Sequence, residues 1–236
     1  MLLVFIDISC SQKILRTEGF VQLRVRDYDS VTGEFINEAI VPDINIWFMG
    51  NLVIQEIKTI NVRDSFGVRT KRTPVAYYLF IDRSSRSFYH YASFIDSATI
   101  LDKYTQADTA SLRGSGGWAF YRRHSLGITG TPHELGDTLI NKIVYKRVKV
   151  VVERAHRPLT IICYFRCDKR GTMFLFDKEF SEKMGCPLTR LESFPSSPHS
   201  IASLDEIAFI RDGLTKEERK VFEAWKQNLK KYPIRK

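Results

Sequence analysis

The sequence predicts an α+β fold rich in β-structure: a large, mainly antiparallel sheet with few helices and a C-terminal amphipathic helix. Three observations carry that expectation. Short runs of aromatic and β-branched residues recur along most of the chain, as strands require. Clusters of Gly, Ser, Asp and Arg separate them at intervals short enough for hairpins. A strong helical period with start and stop signals occurs in one place, near the end.

Taken in order, strands are expected at residues 2–8, 21–27, 44–48, 52–60, 74–82, 87–94, 117–122, 143–153, 159–166 and 172–177. Turns are signalled at Ser30–Gly33, Asp82–Ser87, Arg113–Gly117 and Asp168–Gly171. Residues 94–104 and 134–142 carry a weak helical period and read as short helices. CPLTRLESFPSSPHS, residues 186–200, has three prolines among several serines and reads as a connector. Thr215 then precedes KEERKVFEAWKQNLKKY, with Glu218 placed as the reciprocal half of a capping box. Phe222, Trp225 and Leu229 form its apolar stripe, Arg219, Lys220, Lys226, Lys230 and Lys231 its basic surface, and Pro233 stops it. The expected organisation is a principal β-rich domain over 1–185, a connector over 186–214 and a C-terminal helix over 215–236 packed on the domain.

A chain of 236 residues with 44% apolar content supports one sizeable core without relying on disulfides or metals. The formal net charge of +9 is uneven, at −3 over residues 1–60 and positive over each later stretch. An acidic beginning followed by a basic body favours a polyanionic partner, DNA or RNA. Cys10, Cys163, Cys167 and Cys186 show no zinc-ribbon spacing and no dense disulfide pattern, so reduced thiols are the simpler reading. MLLVFIDISCS carries Asp7 and lacks a basic lead-in, unlike a signal peptide, and no apolar run approaches the roughly 20 residues that span a bilayer. A soluble, intracellular protein is expected, in the cytoplasm or a host nucleus, with no membrane partner.

The chemistry-bearing stretch is PDINIWFMGNLVIQEIKTI, Pro42–Ile60. Strand alternation puts Leu52, Ile54, Glu56, Lys58 and Ile60 on one face, so Glu56 and Lys58 point the same way between apolar neighbours. Asp43 arrives from an adjoining strand. Two carboxylates and an ammonium brought together would suit a hard divalent cation and an attacking water; alternatively they form ordinary near-neighbour ion pairs.

Pro42, Asp43, Glu56 and Lys58 resemble the motif of the PD-(D/E)xK nucleases. The resemblance implies a divalent-metal-dependent endonuclease hydrolysing phosphodiester bonds, with Asp43 and Glu56 holding Mg²⁺ or Mn²⁺ and Lys58 orienting the water. It also implies an upstream helical glutamate, for which Glu34 or Glu38 would serve, and, for duplex cutting, a homodimer.

Other constellations point to nucleic acid without catalysis. PVAYYLFIDRSSRSFYHYASF interleaves aromatics with Arg83 and Arg86, a composition suited to stacking bases and holding phosphate. RGSGGWAFYRRHS places Arg122 and Arg123 after a glycine-rich turn lacking any nucleotide-binding Lys-Ser or Lys-Thr. Lys146, Arg147 and Lys149 extend the basic set. HELGD lacks the second histidine of a metalloprotease helix, and no local Ser-His-Asp motif is present. The alternative to the nuclease is therefore a noncatalytic, β-rich nucleic-acid-binding or viral structural protein.

Overall fold

A computed structural model describes residues 17–36, 42–65, 68–85, 87–105, 131–152, 158–170, 172, 174–195 and 201–232. The strands are β1 (Glu18–Asp29), β2 (Ile44–Met49), β3 (Leu52–Lys58), β4 (Asn61–Ser65), β5 (Val68–Arg72), β6 (Val75–Asp82), β7 (Ser87–Tyr91), β8 (Ile100–Thr105), β9 (His133–Ile140), β10 (Ile143–Val152), β11 (Leu159–Phe165), β12 (Leu188–Pro195) and β13 (Ile201–Asp212). The helices are α1 (Lys178–Met184) and α2 (Lys216–Lys231). This is the β-rich α+β arrangement expected, with its principal helix near the C-terminus.

Eleven strands form one antiparallel sheet in the order β8-β7-β6-β3-β2-β1-β13-β12-β11-β10-β9, and β4 and β5 form a separate hairpin. The first meander runs outward from β1 to the β8 edge; the second starts at the β9 edge and runs back inward. They meet where β13 lies antiparallel to β1, from Gly19 opposite Asp212 to Asp29 opposite Ile201. Gly19 sits at this seam because a Cβ there would come within 2.8 Å of the Arg211 carbonyl oxygen and 2.9 Å of the Phe48 ring.

Alternation gives the sheet two different faces. On one, Val21, Leu23, Ile46, Val53, Leu79, Ile81, Phe88 and Ile207 bury against Phe174, a residue of the β11–β12 connection. The same face continues through Val148, Val150, Ile161, Cys163 and Leu191 to Phe180 and Met184 of α1. On the opposite face, Trp47, Leu52, Ile54, Phe80, Tyr89 and Tyr91 pack against Val221, Phe222 and Trp225 of α2. The Trp225 ring lies parallel to Tyr91 at 3.8 Å, and its Nε1 donates to the Ile95 carbonyl at 3.0 Å, so a large buried side chain leaves no polar group unsatisfied. The expected capping box is present: Thr215 accepts from the Glu218 amide and Glu218 from the Thr215 amide.

Several expectations need correction. Residues 94–104 and 134–142 contain β8 and β9 instead of short helices. For the second, the cause is a two-residue hairpin turn with both central φ angles positive, Asn141 at 50° and Lys142 at 66°, which folds β9 directly onto β10. The stretch expected as a connector supplies β12 and β13, the inner strands of the second meander, because TRLES and IASLDEIAFI alternate against a buried face. Residues 172 and 174–177 are irregular and lead into α1. The expected strands at 2–8 and 117–122 and the turn at Arg113–Gly117 lie outside the described residues.

Cys167 and Cys186 are joined by a disulfide, with Cα atoms 4.7 Å apart, instead of being free thiols. The pairing follows from strand register. Phe165 lies opposite Leu188, the Arg166 amide donates to the Pro187 carbonyl at 3.0 Å, and the next facing pair is Cys167 and Cys186.

Candidate functional site

Asp43, Glu56 and Lys58 share one face of the sheet, as alternation requires, but their surroundings assign them to a structural network. Asn45 Nδ2 donates to Glu56 Oε2 at 2.6 Å, and Lys58 Nζ lies 3.2 Å from the same oxygen. Lys58 Nζ also donates to the Asp43 backbone carbonyl at 2.8 Å. The Asp43 carboxylate is engaged by Arg26 of β1, whose Nη1 lies 2.5 Å from Oδ1. That contact, outweighing partial burial, holds the Arg26 guanidinium above its ordinary pKa.

The network continues in the other direction. Asn45 Oδ1 accepts from Gln22 Nε2 at 2.9 Å, and Gln22 Oε1 accepts from Arg24 Nε at 2.8 Å. Arg24 lies 3.6 Å from Glu206 of β13, and Glu206 lies 3.5 Å from Arg190 of β12. Arg190 pairs with Glu192 at 2.8 Å, and Glu192 accepts from the Tyr164 hydroxyl of β11 at 2.8 Å. A single polar ladder thus crosses β3, β2, β1, β13, β12 and β11. It spans roughly 24 Å at the usual strand spacing.

Electrostatics follow the ladder. Burial works against the Arg190 charge, yet Glu192 and Glu206 hold its pKa above the ordinary value. Burial, then the hydrogen bond to Glu192, pushes the Tyr164 hydroxyl well above the phenol range. Tyr28 is pushed up to about 12 by burial and by the Glu192 charge. The Arg190 guanidinium also lies over the Tyr164 ring at 5.3 Å from its centroid.

This geometry overturns the metal-dependent nuclease expectation. Its carboxylates, Asp43, Glu56, Glu192 and Glu206, are matched by Arg24, Arg26, Lys58 and Arg190, leaving no surplus negative charge to attract a divalent cation. Among the described residues, no group of three or more His, Cys, Asp or Glu side chains is arranged to hold a metal ion. Asp43 and Glu56 are therefore not a Mg²⁺ or Mn²⁺ pair, Lys58 has no metal-bound water to orient, and the hydrolase assignment falls. Glu34 belongs to a turn, where its carbonyl accepts from the Asp29 amide at 2.9 Å, and Glu38 lies outside the described residues. The homodimer expected for duplex cutting loses its rationale with the cutting.

Among the described residues, the expected phosphate-contacting side chains do not form one cluster. Arg83 is exposed in the β6–β7 turn, seven strand positions from β10. That separation is on the order of 30 Å along the sheet. Arg86, Arg122 and Arg123 lie outside the described residues. Lys146, Arg147 and Lys149 are all on β10, but alternation splits them. Lys146 pairs with Glu134 at 3.0 Å on one face. Arg147 and Lys149 share the ladder's face, where Arg147 lies opposite Tyr164. Arg147 donates to the Leu135 and Gly136 carbonyls at 3.3 and 3.4 Å, and Lys149 is exposed. Among the described residues, no carboxylate forms an ion pair with either.

Gln22, Arg24, Arg190, Glu192 and Glu206 were not singled out from sequence. The signal was present as polar residues at every second position, in QLRVR and in RLE. A groove of about 910 Å³ lies elsewhere, between α2 and the β2–β3 and β6–β7 turns, with Leu52, Tyr89, Leu229, Lys226 and Lys230 in its lining.

No protein-family model matches the chain, and no curated protein does. Among solved structures, the chain is similar to the crystal structure of a LolA superfamily protein from Nitrosomonas europaea. The two share 7% identity over 86% of this chain and 89% of that one, with a TM-score of 0.20. A likeness of that size transfers neither fold nor function. Among the described residues, no helix is long and apolar enough to cross a membrane.

Proposed function

We propose that this chain is a noncatalytic, β-rich nucleic-acid-binding protein whose contact surface is the ladder's face of the sheet at β10 and β11. The observation that carries the reading is the position of Arg147 and Lys149. They lie on the same face as a charge-balanced ladder, beyond its last member, without a carboxylate pairing to either among the described residues. The ladder's own cations are occupied, so Arg147 and Lys149 are the cations that its β10 end offers to a partner. A net charge of +9 adds a long-range field of the same sign.

Phosphate contacts by such residues position a strand without reading its sequence, and counterion release makes the affinity salt-dependent. A single strand suits an extended sheet face, along which Arg147 and Lys149, two positions apart on β10, meet neighbouring phosphates. Two phosphate contacts imply a log–log salt slope near about −1.4, the value for single strands.

The test is fluorescence anisotropy of labelled single-stranded DNA and RNA across a salt series, comparing wild type with R147A/K149A. Binding that weakens with salt, and at least about a tenfold loss at low salt in the double variant, is the expected result. Absent binding, salt-independent binding, or an unaffected double variant would overturn the reading.

A further inference from the structure

We infer that the mature protein carries the Cys167–Cys186 bond as a structural staple and therefore folds in an oxidising compartment. This inference stands independently of the partner that the sheet binds. The two cysteines are the facing pair that ends the β11–β12 ladder, so the bond closes a hairpin whose connection contains α1. That connection covers the sheet. Phe174 is fully buried against the β1–β7 portion, Phe176 packs on both neighbouring clusters, and Phe180 and Met184 pack against Val148, Cys163 and Leu191.

Both ends of the cover are held in place by other bonds. The Phe176 amide donates to the Leu188 carbonyl at 2.9 Å, and the Leu188 amide donates to Ser181 Oγ at 3.0 Å. Gly185 ends α1 in the left-handed conformation at φ 69°, turning the chain so that Cys186 faces Cys167. The thiols are thus brought face to face by the fold.

The surroundings fit a permanent bond and not a catalytic or sensing one. A reactive pair needs an attacking thiolate and solvent access. Cys163, the remaining thiol of the same apolar cluster, is fully buried, and burial pushes its pKa up to about 12, so its thiolate is negligible near neutral pH. Cys186 is only 4% exposed and Cys167 is partly exposed, so a soluble thiol has access to the bond from the Cys167 side alone. Forming it removes two protons and two electrons from the Cys167 and Cys186 thiols. The acceptor is a protein disulfide of the oxidising compartment, which is reduced to a dithiol. Such bonds persist outside the reducing cytosol, so the cytoplasmic or nuclear expectation gives way to an exported or luminal setting.

The experiment uses the full chain expressed with and without an export signal, trapped with an alkylating agent, and mapped by mass spectrometry. Exported protein is expected to contain a Cys167–Cys186-linked peptide and to keep it under glutathione at the ratio of an oxidising compartment, whereas protein held in the cytosol should yield both cysteines alkylated as free thiols. C167S/C186S, and reduced protein from the cytosol, should each melt roughly 6–12 °C lower. C163S is expected to keep the bond. Ready reduction of the native bond by glutathione at that oxidising ratio, absence of the linked peptide from exported protein, its full formation in protein held in the cytosol, or equal melting of folded C167S/C186S and wild type would overturn the proposal. If C167S/C186S fails to fold, the glutathione titration of wild type decides.

Discussion

Replacing Glu56 by alanine provides the sharpest perturbation of the polar ladder. The Glu56 side chain is 8% exposed and its Oε2 serves both Asn45 Nδ2 and Lys58 Nζ. Its removal leaves the Asn45 amide without its acceptor and leaves an ammonium, on a side chain 18% exposed, with only a backbone carbonyl as its remaining described partner. Breaking a buried pair costs about 3–5 kcal/mol and breaking an exposed one below about 1 kcal/mol. This pair, with Glu56 buried and Lys58 partly exposed, falls between them, at roughly 2–3 kcal/mol, or a Tm lowered by about 4–12 °C for a chain of this size. Glu56→Gln keeps an acceptor for Asn45 and should lose less. The assay is urea denaturation of wild type, E56A, K58A and the double variant, so that the coupling between the two sites is read directly. A coupling energy of at least about 1 kcal/mol is expected for interacting charged partners. E56A within about 0.5 kcal/mol of wild type, a surface-like value, would refute the ladder as a stabilising element.

Two other perturbations test separate parts of the account. Asp205 of β13 lies between Val25 and Leu191, and burial, then the nearby Asp27 charge, pushes its carboxyl up to about 6. Because the unfolded carboxyl titrates near about 4, the folded state retains a proton that the unfolded chain has lost. This contribution lowers stability by roughly 2–3 kcal/mol as pH rises from about 4 to about 6. D205N should flatten that slope in equilibrium unfolding, and an unchanged slope would count against the burial. Lys142 sits at φ 66° in the β9–β10 turn, where glycine is unstrained. Lys142→Gly should therefore raise stability by about 0.5–1 kcal/mol despite the greater freedom of the unfolded chain, and a loss of that size would show the turn to be different.

Strands β1, β2, β3, β6 and β7 of the first meander were readable because their apolar residues alternate between turns that carry Gly, Asp or Ser, whereas the β8 edge strand reads locally as helix. The C-terminal helix was readable because its cap, stripe and stop coincide. The inner strands β12 and β13 were obscured by flanking prolines and serines, whose local turn preference is overridden by pairing with β11 and β1. The Cys167–Cys186 bond was hidden because the cysteines are 19 positions apart and become neighbours only once β11 and β12 are in register. At the candidate site, alternation correctly placed Glu56 and Lys58 on one face. Their chemistry was misread because Arg26, which engages Asp43, comes from β1 outside the motif, and because Asn45, inside it on β2, becomes a donor to Glu56 only once β2 and β3 are paired.

The most direct test of a strand-binding protein without catalysis reads binding and substrate integrity in the same samples. Labelled single- and double-stranded DNA and RNA are incubated with wild type and R147A/K149A in EDTA, Mg²⁺ or Mn²⁺. Salt-sensitive binding that requires Arg147 and Lys149, with every labelled strand intact in all three conditions, is the predicted result; metal-dependent cutting by wild type, or binding indifferent to both residues, would contradict it.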